Sequence, residues 1–234
     1  MVSRMATDAL QRLEKKLGYQ FKDHALLRQA ISHRSIGSEH YERLEFLGDS
    51  ILGFIIAEEL YRRFPEATEG QMTRLRSHLV KGKTLAKLAI QLSLGDFLLL
   101  GSGELKSGGF RRESILADAF EAIVAGIYLE SGLDVCRKHL LVWYGKLLSE
   151  ADPNEVTKDP KTLLQEQLQS LQFPLPEYKT LNVTGKDHDQ QFEVQCTCEG
   201  NDKFPGCTTV AVGKSRRQAE KLAAEKALIQ RQHL

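Results

Sequence analysis

The segment from Glu42 to Leu52 carries acidic and aliphatic side chains at spacings that a helix separates onto two faces. Glu42, Glu45 and Asp49 follow one another at i, i+3 and i+7, so in a helix they fall within about 60° of each other. The aliphatic side chains gather roughly opposite, and they are Leu44, Leu47, Ile51 and Ile55. Because like charges at the spacing of Glu45 and Asp49 repel along a helix, this pattern indicates a compensating cation.

Gly48 stands in the middle of this predicted helix. A glycine in a helix interior costs about 1 kcal/mol relative to alanine. Such a residue is best explained where a second backbone or a ligand comes close to the helix. We therefore expect a close approach at Gly48.

A second acidic pair, Asp118 and Glu121, lies at i, i+3 in the strongly apolar segment 113–128. Two helices packed edge to edge would then bring Glu45, Asp49, Asp118 and Glu121 together as a cage of oxygen ligands. Such a cage suits Mg²⁺ or Mn²⁺ better than softer metals. A solvated acidic surface is the alternative explanation. A di-iron helical bundle is disfavoured because the chain contains no H-E-x-x-H or Glu-x-x-His pattern.

These two segments resemble a known enzyme family. Residues 42–52 resemble the signature of the ribonuclease III family, and residues 103–118 resemble its second block. The resemblance covers nearly the whole chain and is closest to the bacterial form with one nuclease domain. It implies a Mg²⁺-dependent endonuclease, with Mn²⁺ able to substitute, that hydrolyses phosphodiester bonds in double-stranded RNA. It also implies 5′-phosphate and 3′-hydroxyl ends, short 3′ overhangs, and processing of ribosomal RNA precursors and structured messages.

The resemblance assigns roles to six acidic residues. It makes Glu45, Asp49, Asp118 and Glu121 the metal-centred catalytic set, in which Glu45, Asp118 and Glu121 are ligands and Asp49 and Glu121 act in catalysis. Glu42 and Glu69 take supporting catalytic roles. Whether Asp49 is a ligand or orients the attacking water stays open, as does the choice between one and two metal ions. The resemblance further implies a homodimer, for which Phe46 is a candidate interface residue because it lies on neither stripe of its helix.

The chain is expected to have two domains. Helices are predicted over 8–17, 25–31, 41–64, 71–92, 114–131 and 133–150, followed by a polar stretch with Pro153 and Pro160. Beyond it, a helix at 162–171, strands at 178–184, 191–199 and 207–212, and a helix at 215–230 are predicted. We therefore expect an all-α endonuclease domain at 1–150, a linker at 151–157 and a small α+β domain at 158–230. The α-β-β-β-α order of the last resembles the double-stranded RNA-binding domain.

That second resemblance implies three groups of RNA contacts, since a duplex binder reads shape, 2′-hydroxyls and phosphates. The first helix would contribute Thr162, Gln165 and Glu166. A loop between strands would contribute His188. The start of the last helix would contribute Lys214, Ser215, Arg216, Arg217 and Lys221, where cationic side chains and free N–H groups attract phosphate.

The composition of the chain excludes few of the remaining function classes. The formal net charge is +1, so a basic footprint must come from local clusters. No apolar run is long enough to span a membrane, and no signal-peptide core is evident, so a cytoplasmic protein is expected. Cys196 and Cys198 alternate with Val194 in a strand and are expected in a dry core. Two rival functions stay open: a double-stranded RNA-binding regulator without catalysis, and an enzyme that acts on another phosphoester.

Overall fold

In this computed structural model the chain forms two units. The described part of the first unit is built from α-helices and short 3₁₀ turns. The structure describes residues 2–154, 159–185, 189–201 and 205–232. The chain divides at residue 156 into unit 1 and unit 2. The helices of unit 1 are α1 Val2–Leu17, α2 His24–Ala30, α3 Glu42–Arg63, α4 Glu69–Val80, α5 Gly82–Gln91, α6 Ser102–Lys106, α7 Glu113–Trp143 and α8 Gly145–Ser149.

The centre of unit 1 is the packing of α3 and α5 against α7. Leu52 and Ile56 of α3 and Phe120 and Ile123 of α7 are fully buried in one apolar core. Gly48 confirms the expected close approach: a Cβ atom built on it would overlap the carbonyl oxygen of Glu121. The two helices that carry the acidic residues therefore touch main chain to main chain at this level.

Several helices of unit 1 have other limits than predicted, and the predicted helix at 133–150 breaks at Tyr144 between α7 and α8. The predicted helix at 71–92 is wrong, because Lys81 adopts an extended conformation (φ −66°, ψ 146°) between α4 and α5. α4 also starts earlier, since Thr68 and Gln71 form a reciprocal capping box. Gly132 interrupts α7 with a left-handed φ of 78°, at the predicted boundary between two helices.

Unit 2 has the predicted α-β-β-β-α order, which confirms the fold class. Its elements are α9 Pro160–Ser170, β1 Glu177–Thr184, β2 Gln191–Cys198, β3 Cys207–Gly213 and α10 Arg216–Gln232. The strands form an antiparallel sheet in the order β1-β2-β3. Val194, Cys196 and Cys198 are buried on the face that α10 covers, so the expected dry core is confirmed. Across the described residues, no helix is both long and apolar enough to cross a membrane.

Candidate metal centre and nucleic-acid interface

Three carboxylates of unit 1 converge. Glu45 projects from α3, and Asp118 and Glu121 project from α7. One carboxylate oxygen from each residue lies within 4.8 Å of the other two. This separation follows from the contact between α3 and α7 at Gly48, three residues beyond Glu45. A donor set made only of carboxylate oxygens fits a hard divalent cation such as Mg²⁺ or Mn²⁺.

The electrostatics of the cluster also fit a cation. Burial, followed by repulsion from Asp49, Glu45 and Asp118, raises the pKa of Glu121 to about 8. Burial and neighbouring carboxylates likewise raise the pKa of Glu45. The pKa of Asp118 is raised chiefly by burial, against an opposing effect of His33. Without a positive charge, partly buried carboxylates at this distance disfavour full ionisation, and a divalent cation would reverse that preference.

Asp49 and Glu42 flank the cluster. Asp49 is exposed and lies outside the group of three, but its charge is the largest neighbouring contribution to the raised pKa of Glu121. Glu42 is exposed and accepts a hydrogen bond from the Arg34 guanidinium at 3.3 Å. The charge of Glu42 also contributes to the raised pKa values of Glu45 and Asp118. Both residues therefore act on the cluster from its rim.

Glu69 lies in different surroundings. It is the first residue of α4 and accepts a hydrogen bond from the Thr73 hydroxyl at 2.7 Å. It lines a cavity of about 440 Å³ together with Phe54 and Tyr61 of α3. The group of three carboxylates does not line that cavity. Its supporting catalytic role stays a prediction.

A polar cleft of about 260 Å³ opens beside the carboxylates. Its lining includes Glu45 and Asp118, and it also includes three side chains that sequence analysis missed: His33, Arg34 and Arg112. His33 caps the 3₁₀ turn Arg34–Ile36, which lies before α3, and Arg112 is the residue before α7. The periodicity of an α-helix gives no information about residues outside α-helices. The one signal in the sequence that could have pointed to these three residues is that they lie close to the acidic segments.

In unit 2 the predicted RNA-contacting residues are mostly at the surface. Thr162, Gln165 and Glu166 are exposed on α9. Lys214, Ser215, Arg216 and Arg217 are exposed around the start of α10, and Lys221 is half-buried. The Ser215 hydroxyl accepts the N–H of Gln218 at 3.2 Å and so caps the start of α10. His188 lies outside the described residues.

The basic residues of α10 differ in their ion pairs. Arg216 contacts Glu220 at 2.9 Å, and Glu220 also binds Lys161 of α9 at 2.6 Å. Lys221 contacts Asp159 at 2.5 Å. Within the part of the chain that the structure describes, Lys214 and Arg217 form no ion pair. Their charges are the most available to a phosphate.

Among the described residues, the cysteines and histidines form no further metal site. Over residues 2–154, 159–185, 189–201 and 205–232, Glu45, Asp118 and Glu121 are the only group of three or more potential ligand residues whose donor atoms converge. All four cysteines are free and buried. The buried thiols of Cys196 and Cys198 lie in the apolar core of unit 2, beside alanines of α10. In the described part of the chain, the candidate metal ligands are therefore the carboxylates of unit 1.

Comparison with known proteins agrees with both units. The Ribonuclease-III-like family model matches residues 23–146, and the double-stranded RNA binding motif matches residues 160–231. The chain is 56% identical to Ribonuclease 3 of Nitrosococcus oceani, over 95% of this chain and 94% of that protein. It is 54% identical to Ribonuclease 3 of Vibrio campbellii, over 94% and 96% of the two chains.

A solved structure matches unit 1. The nuclease domain of ribonuclease III from Campylobacter jejuni aligns with a TM-score of 0.58 and 41% identity. The alignment covers 61% of this chain and 97% of the Campylobacter jejuni chain. Fold, acidic cluster and relatives therefore agree, and the chain belongs to the ribonuclease III family, as an endoribonuclease with a double-stranded RNA-binding domain.

Proposed function

We propose that this chain hydrolyses phosphodiester bonds in double-stranded RNA with Mg²⁺ as cofactor, and with Mn²⁺ as a substitute. The observation that carries this proposal is the convergence of Glu45, Asp118 and Glu121 within 4.8 Å. These three residues would hold the cation. When bound, it would supply positive charge that eases deprotonation of the attacking water and neutralises the leaving 3′-oxygen. The products would carry 5′-phosphate and 3′-hydroxyl ends.

The protein residues would divide the remaining work. Asp49 is exposed beside the cluster, so its carboxylate is free to accept a proton from the attacking water and to orient it. Glu42 holds Arg34 at the mouth of the polar cleft. Because burial raises the pKa of Glu121, this carboxyl group would give up its proton near neutral pH when a cation binds.

Unit 2 would supply the preference for duplex RNA. A-form RNA hides its base edges in a deep, narrow major groove, so binding depends on shape, 2′-hydroxyls and phosphates. Thr162, Gln165 and Glu166 of α9 would reach a minor groove, and His188 would reach the next one. Lys214 and Arg217, which form no ion pair with the described residues, would contact the phosphates between these grooves, together with Ser215, Arg216 and Lys221. The domain limits 1–150, 151–157 and 158–230 remain our proposal for the boundaries.

We further propose a homodimer in which α3 provides the interface. Phe46, Phe54 and Tyr61 are 79%, 53% and 72% exposed, which is unusual for aromatic side chains of this size. At 100° per residue they fall within about 80° of one another. A related nuclease-domain structure from Campylobacter jejuni is described with flexibility in a region involved in dimer formation. Two sites in a dimer would cut opposite strands and leave short 3′ overhangs.

Family membership also suggests where such an activity acts. We propose ribosomal RNA precursors and structured messages in the cytoplasm as the cellular substrates. Neither substrate follows from the geometry of unit 2, because readout of duplex shape leaves the sequence of the target unspecified.

End analysis of the products tests the proposed reaction. A long perfect RNA duplex is incubated with the full chain in Mg²⁺, and the fragments are treated with an exonuclease that requires a 5′-phosphate. We expect fragments that the exonuclease degrades and that a ligase joins without prior phosphorylation. Fragments with 3′-phosphate or cyclic phosphate ends would overturn the proposed hydrolysis. Glu113→Gln, at an exposed position on α7 outside the cluster, serves as the control and should cut like the parent.

A further inference from the structure

His33 is fixed in place beside the acidic cluster. Its N–H donates to the carbonyl of Leu99 at 3.0 Å. Its imidazole ring packs edge-on against Tyr41, with 5.9 Å between ring centroids. Its side chain caps the short 3₁₀ turn Arg34–Ile36. The ring is therefore held in three ways: through the backbone hydrogen bond to Leu99, through the contact with Tyr41 and through the capping contact of one ring nitrogen.

The capping contact determines which ring nitrogen carries the proton. Nδ1 accepts the backbone N–H of Ser35 at 3.2 Å. The Ser35 hydroxyl lies 2.8 Å from the same Nδ1, and its oxygen accepts the N–H of Gly101 at 2.8 Å. A ring nitrogen that accepts a backbone N–H carries no proton of its own. In the neutral ring the proton is therefore on Nε2.

Among the described residues, Nε2 of His33 has no hydrogen-bond partner, since the side-chain contacts of the ring are made by Nδ1. The side chain lines the polar cleft that Glu45 and Asp118 also line. The two arginines of the cleft are engaged, since Arg34 contacts Glu42 at 3.3 Å and Arg112 contacts Glu104 at 3.0 Å. His33 therefore presents an oriented and unused N–H donor at the edge of the carboxylate cluster.

We propose that His33 binds the RNA backbone, by donating its Nε2–H to a non-bridging oxygen of a phosphate that lies at the carboxylate cluster. This inference rests on the proposed function, because it requires an RNA strand in the cleft. A hydrogen-bond donor on a fixed ring is suited to this place, since it contacts the anionic phosphate and leaves the carboxylates of Glu45 and Asp118 to the cation. A donor that is already oriented also loses little conformational entropy when the strand binds.

An alternative role for the same atom is to orient Asp118, as hydrogen bonds to metal-ligating carboxylates do. His33 and Asp118 form no hydrogen bond in the structure, which favours the phosphate. The two roles differ in one measurable way. Loss of an Asp118-orienting residue would weaken binding of the metal ion, whereas loss of a phosphate donor would leave it unchanged.

Two matched variants separate the cap from the donor. His33→Asn keeps an acceptor near the position of Nδ1, and asparagine is a preferred capping residue. It removes the Nε2–H. His33→Gln loses the cap acceptor but places an amide N–H near the position of Nε2. The full chain is used for both variants, and melting curves verify that each one is folded.

The test combines single-turnover cleavage of a duplex in Mg²⁺ with calorimetric binding of Mn²⁺ in the absence of RNA. We expect His33→Asn to cut about 10- to 150-fold more slowly, as befits a lost hydrogen bond to a charged group, with an Mn²⁺ Kd within twofold of the parent. His33→Gln should cut faster than His33→Asn. A parental rate for His33→Asn, or a rate and an Mn²⁺ affinity that fall together, would overturn the inference.

A second measurement needs no variant to be active. Adding duplex to the parent protein in Ca²⁺ should shift the ¹⁵N resonance of His33 Nε2, and an unchanged resonance with bound duplex would contradict the contact. If the parent itself does not cleave duplex RNA, the proposed function fails. If the parent cleaves and His33→Asn cleaves equally fast, only the role of His33 fails.

Discussion

Gly48 of α3 lies against the main chain of Glu121 on α7, where a methyl group would overlap the Glu121 carbonyl oxygen. This contact sets the separation of the two helices exactly where their carboxylates converge. Glu45 lies one turn before Gly48, and Glu121 is itself part of the contact. The glycine therefore links helix packing to the geometry of the candidate metal centre.

Gly48→Ala should push α3 and α7 apart. Overpacking of this kind costs about 1–3 kcal/mol, which exceeds the gain of roughly 1 kcal/mol in helix propensity. We expect a lower urea midpoint and weaker Mn²⁺ binding. Gly145→Ala on α8 is the control, because Gly145 is exposed and a Cβ atom added there would have open space around it. It should be neutral or stabilising, and equal effects of the two variants would refute the role of Gly48.

The metal-free protein should lose stability as the pH rises towards 8. The pKa of Glu121 is about 8 in the folded chain, above its ordinary value of 4.5, because burial and three carboxylates oppose its charge. A raised pKa means that the stabilisation is complete below about pH 4.5 and is lost as the pH passes through 8. Urea unfolding in EDTA between pH 5 and 8.5 measures this loss. Glu121→Gln should show a flatter pH dependence, and a parental slope in that variant would contradict the assignment.

Binding of the metal ion should release protons. Because Glu121 binds a cation only when ionised, the affinity for Mn²⁺ should rise about tenfold per pH unit below pH 8 for each proton displaced. Calorimetry in buffers of different ionisation enthalpy counts those protons directly. Buffer-independent heats at pH 7 would show that Glu121 is already ionised before the metal binds. Glu113→Gln should leave both the affinity and the proton count unchanged.

The basic residues of α10 should contribute unequally to RNA binding. Arg217→Ala should weaken binding of every duplex sequence alike and should reduce the salt slope by about 1, since it removes one phosphate contact. It should lower the melting temperature less than Arg216→Ala does, because Arg217 forms no ion pair with the described residues and only its charge acts on Asp159. Arg216→Ala should also lower the melting temperature, since it breaks the contact with Glu220.

Fluorescence anisotropy over a KCl series, in Ca²⁺ to block cleavage, measures these slopes. Lys179→Ala on β1 is the control and should leave the slope unchanged. A slope for Arg217→Ala that equals the parental slope would remove Arg217 from the interface.

Much of the site was predictable because it lies on regular helices. The spacings of Glu45, Asp49, Asp118 and Glu121 follow helical periodicity, and Gly48 marked where the helices meet. The strands of unit 2 were predictable for the same reason, with a period of two in place of 3.6. Fold class and the acidic residues thus follow from local patterns.

The polar cleft was not predictable in this way. His33 owes its orientation to Leu99 and Ser35, and the contact with Leu99 joins residues far apart in sequence. The break at Lys81 was missed because apolar periodicity continues through it, although Gly82 was a local signal for a helix boundary. Glu69 is the reverse case. The family resemblance assigns it a catalytic role, but in a single chain it lines a cavity that the carboxylate cluster does not line.

The most direct test compares cleavage and binding in one variant. Parent and Glu121→Gln are incubated with a long perfect RNA duplex in Mg²⁺ and in EDTA, and the products are resolved on a denaturing gel while duplex binding is measured in Ca²⁺. The account predicts cleavage by the parent in Mg²⁺ alone, and duplex binding without cleavage by Glu121→Gln. Binding without cleavage by the parent, in Mg²⁺ or in Mn²⁺, would contradict it and would leave an RNA-binding regulator.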